Sequence, residues 1–208
     1  FKNDISAVNK VLKSKYLTQG KKVSEFENKI KNYTNSKYAV AVNSATSALH
    51  ISCLALNLKS DDYLWTSAIS FVASANCGLY CGAKIDFVDI DLDNYNICPQ
   101  KLEIKLQKAK LQGRLPKIIV IVHIGGYSAP MSQIKVLSKK YKFKIIEDAS
   151  HAVGGKYKFN KIGSCKYSDI TVFSFHPVKI ITTAEGGVAT TNNKIIEKNL
   201  RLFADHGI

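Results

Sequence analysis

The chain has 208 residues, 46% of them hydrophobic and 22% charged, which suits one large domain with its own core and excludes a disordered or fibrous chain. Its formal net charge of +14 would suit nucleic acid, but the lysines are scattered over every segment, and no groove-reading motif or RGG-like tract accompanies them. The plainer reading is a solvated basic surface, and no apolar run approaches the ~18 residues that a membrane span needs.

Val23, Phe26, Ile30 and Tyr33 recur at helical spacing and lead into a β-rich run, Tyr38 to Val42, which closes at Asn43 and Ser44. From Ala45 the apolar positions Ala48, Leu49, Cys53 and Leu56 share one face, so Ser44 is a suitable N-cap for a helix running to about Asn57. The strand-turn-helix pattern then repeats: Tyr63 to Trp65 with a helix over Phe71 to Cys81, Ile85 to Val88 with Gln100 to Gln112, and Ile118 to Ile124 with Met131 to Tyr141. Lys144 to Ile146, Ile170 to Phe175 and Val188 to Thr191 supply further strands before a last helix. Continuous apolar strands separated by helices imply a mostly parallel sheet covered on both faces, a three-layer α/β/α architecture. In such sheets ligands bind beyond the carboxyl ends of the strands. Cys53, Cys77, Cys81, Cys98 and Cys165 are odd in number and lack a CxxC pair. They argue against a disulfide framework or a metal site and for a reducing, cytoplasmic setting, with Cys77 and Cys81 as small core residues.

Four segments could carry chemistry. Asn43-Ser44-Ala45-Thr46-Ser47-Ala48 is a small, hydroxylated strand-to-helix turn. Its free N–H groups and hydroxyls fit either simple capping or a phosphate. Asp148 closes the run Lys144 to Asp148, with His151 three residues on; such a carboxylate is either a turn residue or the partner of a protonated ring nitrogen. Lys179 follows an apolar strand and Pro177 and precedes Gly186-Gly187. One lysine among 30 basic residues says nothing alone, but a desolvated lysine in that setting is a Schiff-base nucleophile. Phe71, in Ile69-Ser70-Phe71-Val72-Ala73, is either core packing or a platform for a planar group. A phosphate turn, an acid for a ring nitrogen, an aromatic platform and a lysine for an aldehyde together describe pyridoxal phosphate.

At these residues the sequence resembles the DegT/StrS-type sugar aminotransferases of the fold-type I pyridoxal-phosphate superfamily. The likeness runs from Leu17-Thr18-Gln19-Gly20-Lys21 through the four segments above to Asp205-His206-Gly207. It implies that Lys179 holds the cofactor aldehyde, that Asp148 contacts the pyridine nitrogen and that Phe71 stacks on the ring. It also implies that Ala45, Thr46 and Ser174 hold the phosphate, and that His151 lies beside the ring where many relatives have glutamine. Within the family, Leu-Thr-Gln-Gly, Ser-Ala-Thr-Ser-Ala-Leu, Ser-His-Ala and Ile-Thr-Thr-Ala-Glu-Gly-Gly are most like the members of pseudaminic acid biosynthesis. Those members transfer an amino group from L-glutamate to C4 of a UDP-4-keto-6-deoxy-N-acetylhexosamine. Lysine at 179, where some relatives have histidine and dehydrate instead, argues for transamination. Family members work as homodimers and continue into a smaller C-terminal domain, so residues 1–208 are expected to be the cofactor-binding large domain, cut at both ends. The rival readings are another nucleotide-sugar aminotransferase of the same family, or a truncated, non-catalytic remnant.

Overall fold

The computed structural model describes residues 2–207. In chain order its elements are α1 (Lys2–Leu12), α2 (Lys21–Thr34), β1 (Tyr38–Val42), α3 (Ala45–Ala55), β2 (Tyr63–Ser67), α4 (Ala73–Leu79), β3 (Lys84–Val88) and α5 (Pro99–Leu111). They continue as β4 (Ile118–Val122), α6 (Met131–Tyr141), β5 (Lys144–Asp148), β6 (Lys156–Tyr157), β7 (Asn160–Lys161), β8 (Ile170–Ser174), β9 (Gly187–Thr191) and α7 (Lys194–Ala204). Seven strands form one sheet in the order β1-β9-β8-β5-β4-β2-β3, with β6 and β7 as a separate hairpin. The β2–β3, β2–β4, β4–β5 and β5–β8 pairs are parallel, and β9 runs against both β8 and β1. The sheet is therefore mostly parallel, and β1, β2, β4, β5 and β8 all end at the same edge.

Both faces of this sheet are covered, for the reason that its strands are apolar on both sides. Along β4, Ile118 and Val120 pack with Leu49, Cys77 and Leu200 from α3, α4 and α7. Ile119 and Ile121 turn the other way to meet Leu102, Leu106, Ile134 and Leu137 from α5 and α6. A third apolar group sets Ile30 of α2 against Phe173, Phe175 and Val188. Successive side chains on opposite faces, each under helices, make the expected three-layer α/β/α architecture. No helix among the described residues is long and apolar enough to cross a membrane.

Element ends differ from the sequence reading where polar partners decide them. β4 stops at Val122 rather than Ile124, and the chain there turns through a 3₁₀ segment, Ile124–Gly126. β5 runs past Ile146 to include Glu147 and Asp148, both buried, because each carboxylate finds donors. α4 begins at Ala73 and ends at Leu79, so Phe71 lies in the loop before it and Cys81 after it. Cys77 is buried as expected, and Cys81 is half-buried. The helix α1 and the β6–β7 hairpin have no counterpart in the sequence reading; α1 buries no side chain, and Ile5, Val8 and Leu12 are exposed.

Glu147, next to Asp148, is a buried carboxylate tied into the fold by three side chains. His123 Nδ1 accepts the Ala129 N–H at 3.1 Å, so its ring proton sits on Nε2 and is donated to Glu147 Oε2 at 2.8 Å. Ser168 and Thr171 donate to the other carboxylate oxygen. Burial by itself would raise this carboxyl, but the His123 bond and the two hydroxyls more than reverse that and hold it below the usual range. Because the folded value lies below the unfolded one, the stabilisation is complete above the ordinary value of 4.5 and is lost as pH falls through the folded value. Glu147→Gln should therefore cost on the order of 2 kcal/mol at neutral pH. The same variant should lose less additional stability than the parent on acidification, as denaturant midpoints at neutral and acid pH would record.

Candidate active site

The sharp turn after β1 begins the site. Ser44 Oγ accepts the Ser47 N–H at 3.1 Å and caps α3, and Ala48 N bonds to Ser44 O. The helix itself offers no partner for the N–H groups of Ala45 and Thr46, which stand at its positive end. Gly187, at the start of β9, packs directly beneath this turn. A Cβ there would lie 2.3 Å from the Ser44 carbonyl carbon and oxygen and 2.5 Å from Ala45 N, so only glycine lets the backbones meet.

The end of β5 supplies the acid. Asp148 is 3% exposed and has no salt-bridge partner among the described residues. Its Oδ1 accepts both the Ser150 N–H at 3.1 Å and the Ser150 hydroxyl at 2.6 Å, and its Oδ2 accepts the Ser74 hydroxyl at 2.6 Å. Three donors offset the cost of burying the charge.

After β8 the chain makes a loop between Ser174 and Gly187. Lys179 N bonds to His176 O at 3.0 Å, closing a turn with Pro177 at its second position, where the fixed φ of proline is favoured. The loop is pinned at its base by Phe175 N to Gly186 O and Thr183 N to Phe175 O, and across its mouth by His176 Nδ1 and Glu185 Oε1, 3.2 Å apart. Lys179 is half-buried at the tip.

These segments enclose a cavity of about 420 Å³, within the ~300–1,000 Å³ typical of small-molecule sites. Ala45, Thr46, Phe71, Asp148, His151, Ser174 and Lys179, the seven residues singled out in the sequence, all line it. Phe71 is 66% exposed, and so presents its ring to the cavity mouth instead of to the core. His151 senses both key groups: burial lowers its pKa, the Lys179 ammonium lowers it further, and the Asp148 carboxylate opposes this. Ser150, His123, His176 and Glu185 also border the cavity and were not singled out. Ser150 lay in plain view inside the Asp148 motif, whereas His123 is a lone histidine after an apolar strand whose partner, Glu147, is 24 residues away.

The whole chain, residues 1–208, matches the family described as DegT/DnrJ/EryC1/StrS aminotransferases. The chain belongs to that family. It is 46% identical over 206 residues to a UDP-4-amino-4,6-dideoxy-N-acetyl-beta-L-altrosamine transaminase of Campylobacter jejuni, covering 99% of this chain and 53% of that protein. Among solved structures it resembles Helicobacter pylori PseC, an aminotransferase involved in the biosynthesis of pseudoaminic acid, with TM-score 0.87 and 38% identity, over 98% of this chain and 53% of that one. It also resembles NtdA from Bacillus subtilis with bound cofactor PMP, with TM-score 0.87 and 30% identity, over 97% of this chain and 44% of that one. The chain thus spans about half the length of the curated relatives it matches.

The shared neighbourhood of His151, Lys179 and Asp148 makes a testable electrostatic statement. In a titration followed by NMR, the His151 ring should change charge below its ordinary value of 6.5. Lys179→Met should move that midpoint upward by removing the repelling cation, since one fewer positive neighbour makes protonation easier.

Proposed function

We propose that the protein carrying this chain is a pyridoxal-phosphate-dependent nucleotide-sugar aminotransferase and that residues 1–208 are its cofactor-binding large domain. The overall reaction moves the amino group of L-glutamate to C4 of a UDP-4-keto-6-deoxy-N-acetylhexosamine, leaving 2-oxoglutarate. The observation that carries this reading is the convergence of Lys179, Asp148, Phe71 and the Ala45-Thr46 turn on one cavity.

The residues present fit the cofactor group by group. A dianionic phosphate suits the open N–H groups at the start of α3 and the Ser174 hydroxyl. A flat ring suits Phe71. A protonated ring nitrogen suits Asp148, a buried carboxylate that otherwise has only hydroxyl and amide donors. When bound, pyridoxal phosphate supplies an aldehyde that takes amines in Schiff linkage and a ring that accepts the electron pair left when a proton departs.

The chain's own residues then have defined tasks. The Lys179 amine holds the cofactor between turnovers and, once displaced by the incoming amine, takes the α-proton of glutamate on Nζ and later returns a proton to C4 of the sugar. Asp148 keeps the ring nitrogen protonated. His151 would stand beside the ring, with protonation of its imidazole disfavoured by burial and by Lys179.

The relative of Campylobacter and PseC support the UDP-sugar substrate of the pseudaminic acid route, and the PMP in NtdA, the amine form of this cofactor, supports the cofactor. A homodimer is part of the same reading: Phe71, Val72, Val178 and Ile180 leave apolar surface open around the cavity mouth, as a second copy would require. Five free thiols, Cys53, Cys77, Cys81, Cys98 and Cys165, accord with a cytoplasmic enzyme.

Mixed with pyridoxal phosphate, the protein should develop a visible absorption band that shifts on adding L-glutamate. Lys179→Ala should abolish the band's lysine-dependent form and reduce turnover by three orders of magnitude or more, roughly the loss of a proton-transfer group together with the covalent anchor. A band of unchanged position and glutamate response in that variant would remove Lys179 from the role.

A further inference from the structure

Ser74 lies on α4 and is fully buried. It does not line the cavity, yet its hydroxyl does not bond back to its own helix, as serines within helices commonly do; it crosses to β5 and donates to Asp148 Oδ2 at 2.6 Å. A count of acceptor sites gives that bond its significance. A carboxylate offers about four lone-pair positions, two on each oxygen. Oδ1 is filled by the Ser150 N–H and the Ser150 hydroxyl, and Oδ2 is half-filled by Ser74. One strong acceptor position is left, and it is on the oxygen that Ser74 holds. The rotation of the carboxylate about Cβ–Cγ is fixed from both sides, so Ser74 decides where the remaining lone pair points.

The same residue sits at the root of the aromatic platform. Ser74 N bonds to Phe71 O at 3.0 Å, and Ala75 N bonds to Val72 O, so the Phe71-Ser74 turn is one tight unit. The unit thereby ties the position of the Phe71 ring to the orientation of the carboxylate, through a single residue that touches neither face of the cavity.

We propose that Ser74 is a positioning residue that selects Oδ2 of Asp148 as the partner of the cofactor's ring nitrogen and holds it in register with the Phe71 platform. This rests on the reading of the cavity as a pyridoxal-phosphate site. Without the Ser74 hydroxyl, the buried carboxylate loses one of its three donors, and its free lone pair is no longer aimed. With Asp148 less well aimed at a protonated ring nitrogen, the Lys179 linkage would keep its proton to higher pH.

The test compares Ser74→Ala, Ser74→Thr and Ser74→Cys with the parent, each as the cofactor-loaded protein, by two readouts other than turnover. The first is the pH midpoint of the visible band; the second is the dissociation constant for pyridoxal phosphate added to the cofactor-free protein. Ser74→Ala should raise the midpoint by roughly half a unit or more and weaken cofactor binding about tenfold, in line with one lost bond to a charged group. Ser74→Thr, which keeps a hydroxyl, should restore the parent midpoint. General loosening of the fold would weaken binding without moving the midpoint, so an unmoved midpoint in Ser74→Ala overturns the proposal. If Ser74→Ala does not fold, Ser74→Cys, of similar size with a weak donor, should show the same upward shift, and a parent-like midpoint there overturns it equally. Absence of any band in the parent would instead count against the cofactor reading itself.

Discussion

One buried carboxylate organises this structure. Asp148 sits at the end of a central strand with almost no solvent and no salt-bridge partner among the described residues, a placement that would be costly without the donors supplied by Ser74 and Ser150. Those donors come from two different elements, the helix after β2 and the turn after β5. Keeping the charge in place therefore requires the sheet, α4 and the 148–152 turn to be assembled together. The cavity is the space these parts leave at the edge where β1, β2, β4, β5 and β8 all terminate.

A second constraint joins the other two walls. Gly187 brings the first residue of β9 under the Ser44-Ala45 turn, closer than any side chain would permit. Since Gly187 also closes the loop that carries Lys179, the Ser44-Ala45 turn and the lysine are referenced to the same piece of backbone. Deeper in the sheet, the His123 bond to Glu147 links the ends of β4 and β5, and His123 itself borders the cavity. The site is thus held by backbone packing on one side and by buried polar bonds on the other.

Much of this was legible in the sequence because the physical signals were local. Apolar runs such as Ile118 to Ile124 pointed to buried strands, and Ser44 before an apolar helical face pointed to a cap or an anion turn. The seven candidate residues converge because each lies at or just beyond the carboxyl end of β1, β2, β5 or β8, which is where such sheets place ligands. What was illegible depended on distance along the chain. The sequence reading ended β5 at Ile146, since nothing local says that Glu147 will find His123, Ser168 and Thr171. Ser74, three residues from the noted Phe71, looks like any small helical residue until β5 is placed beside it, 74 positions later. The helix α1 is amphipathic yet buries no side chain, so its periodicity gave no anchor to argue from.

The central claim is that one lysine of many holds the cofactor. Reduction of the loaded protein with borohydride would fix the pyridoxyl group to whichever amine carries it, and peptide mass mapping would read the position. The account predicts the label on the peptide containing Lys179 and its disappearance from that peptide in Lys179→Arg. A label on a different lysine, or one spread evenly over the basic surface, would contradict it.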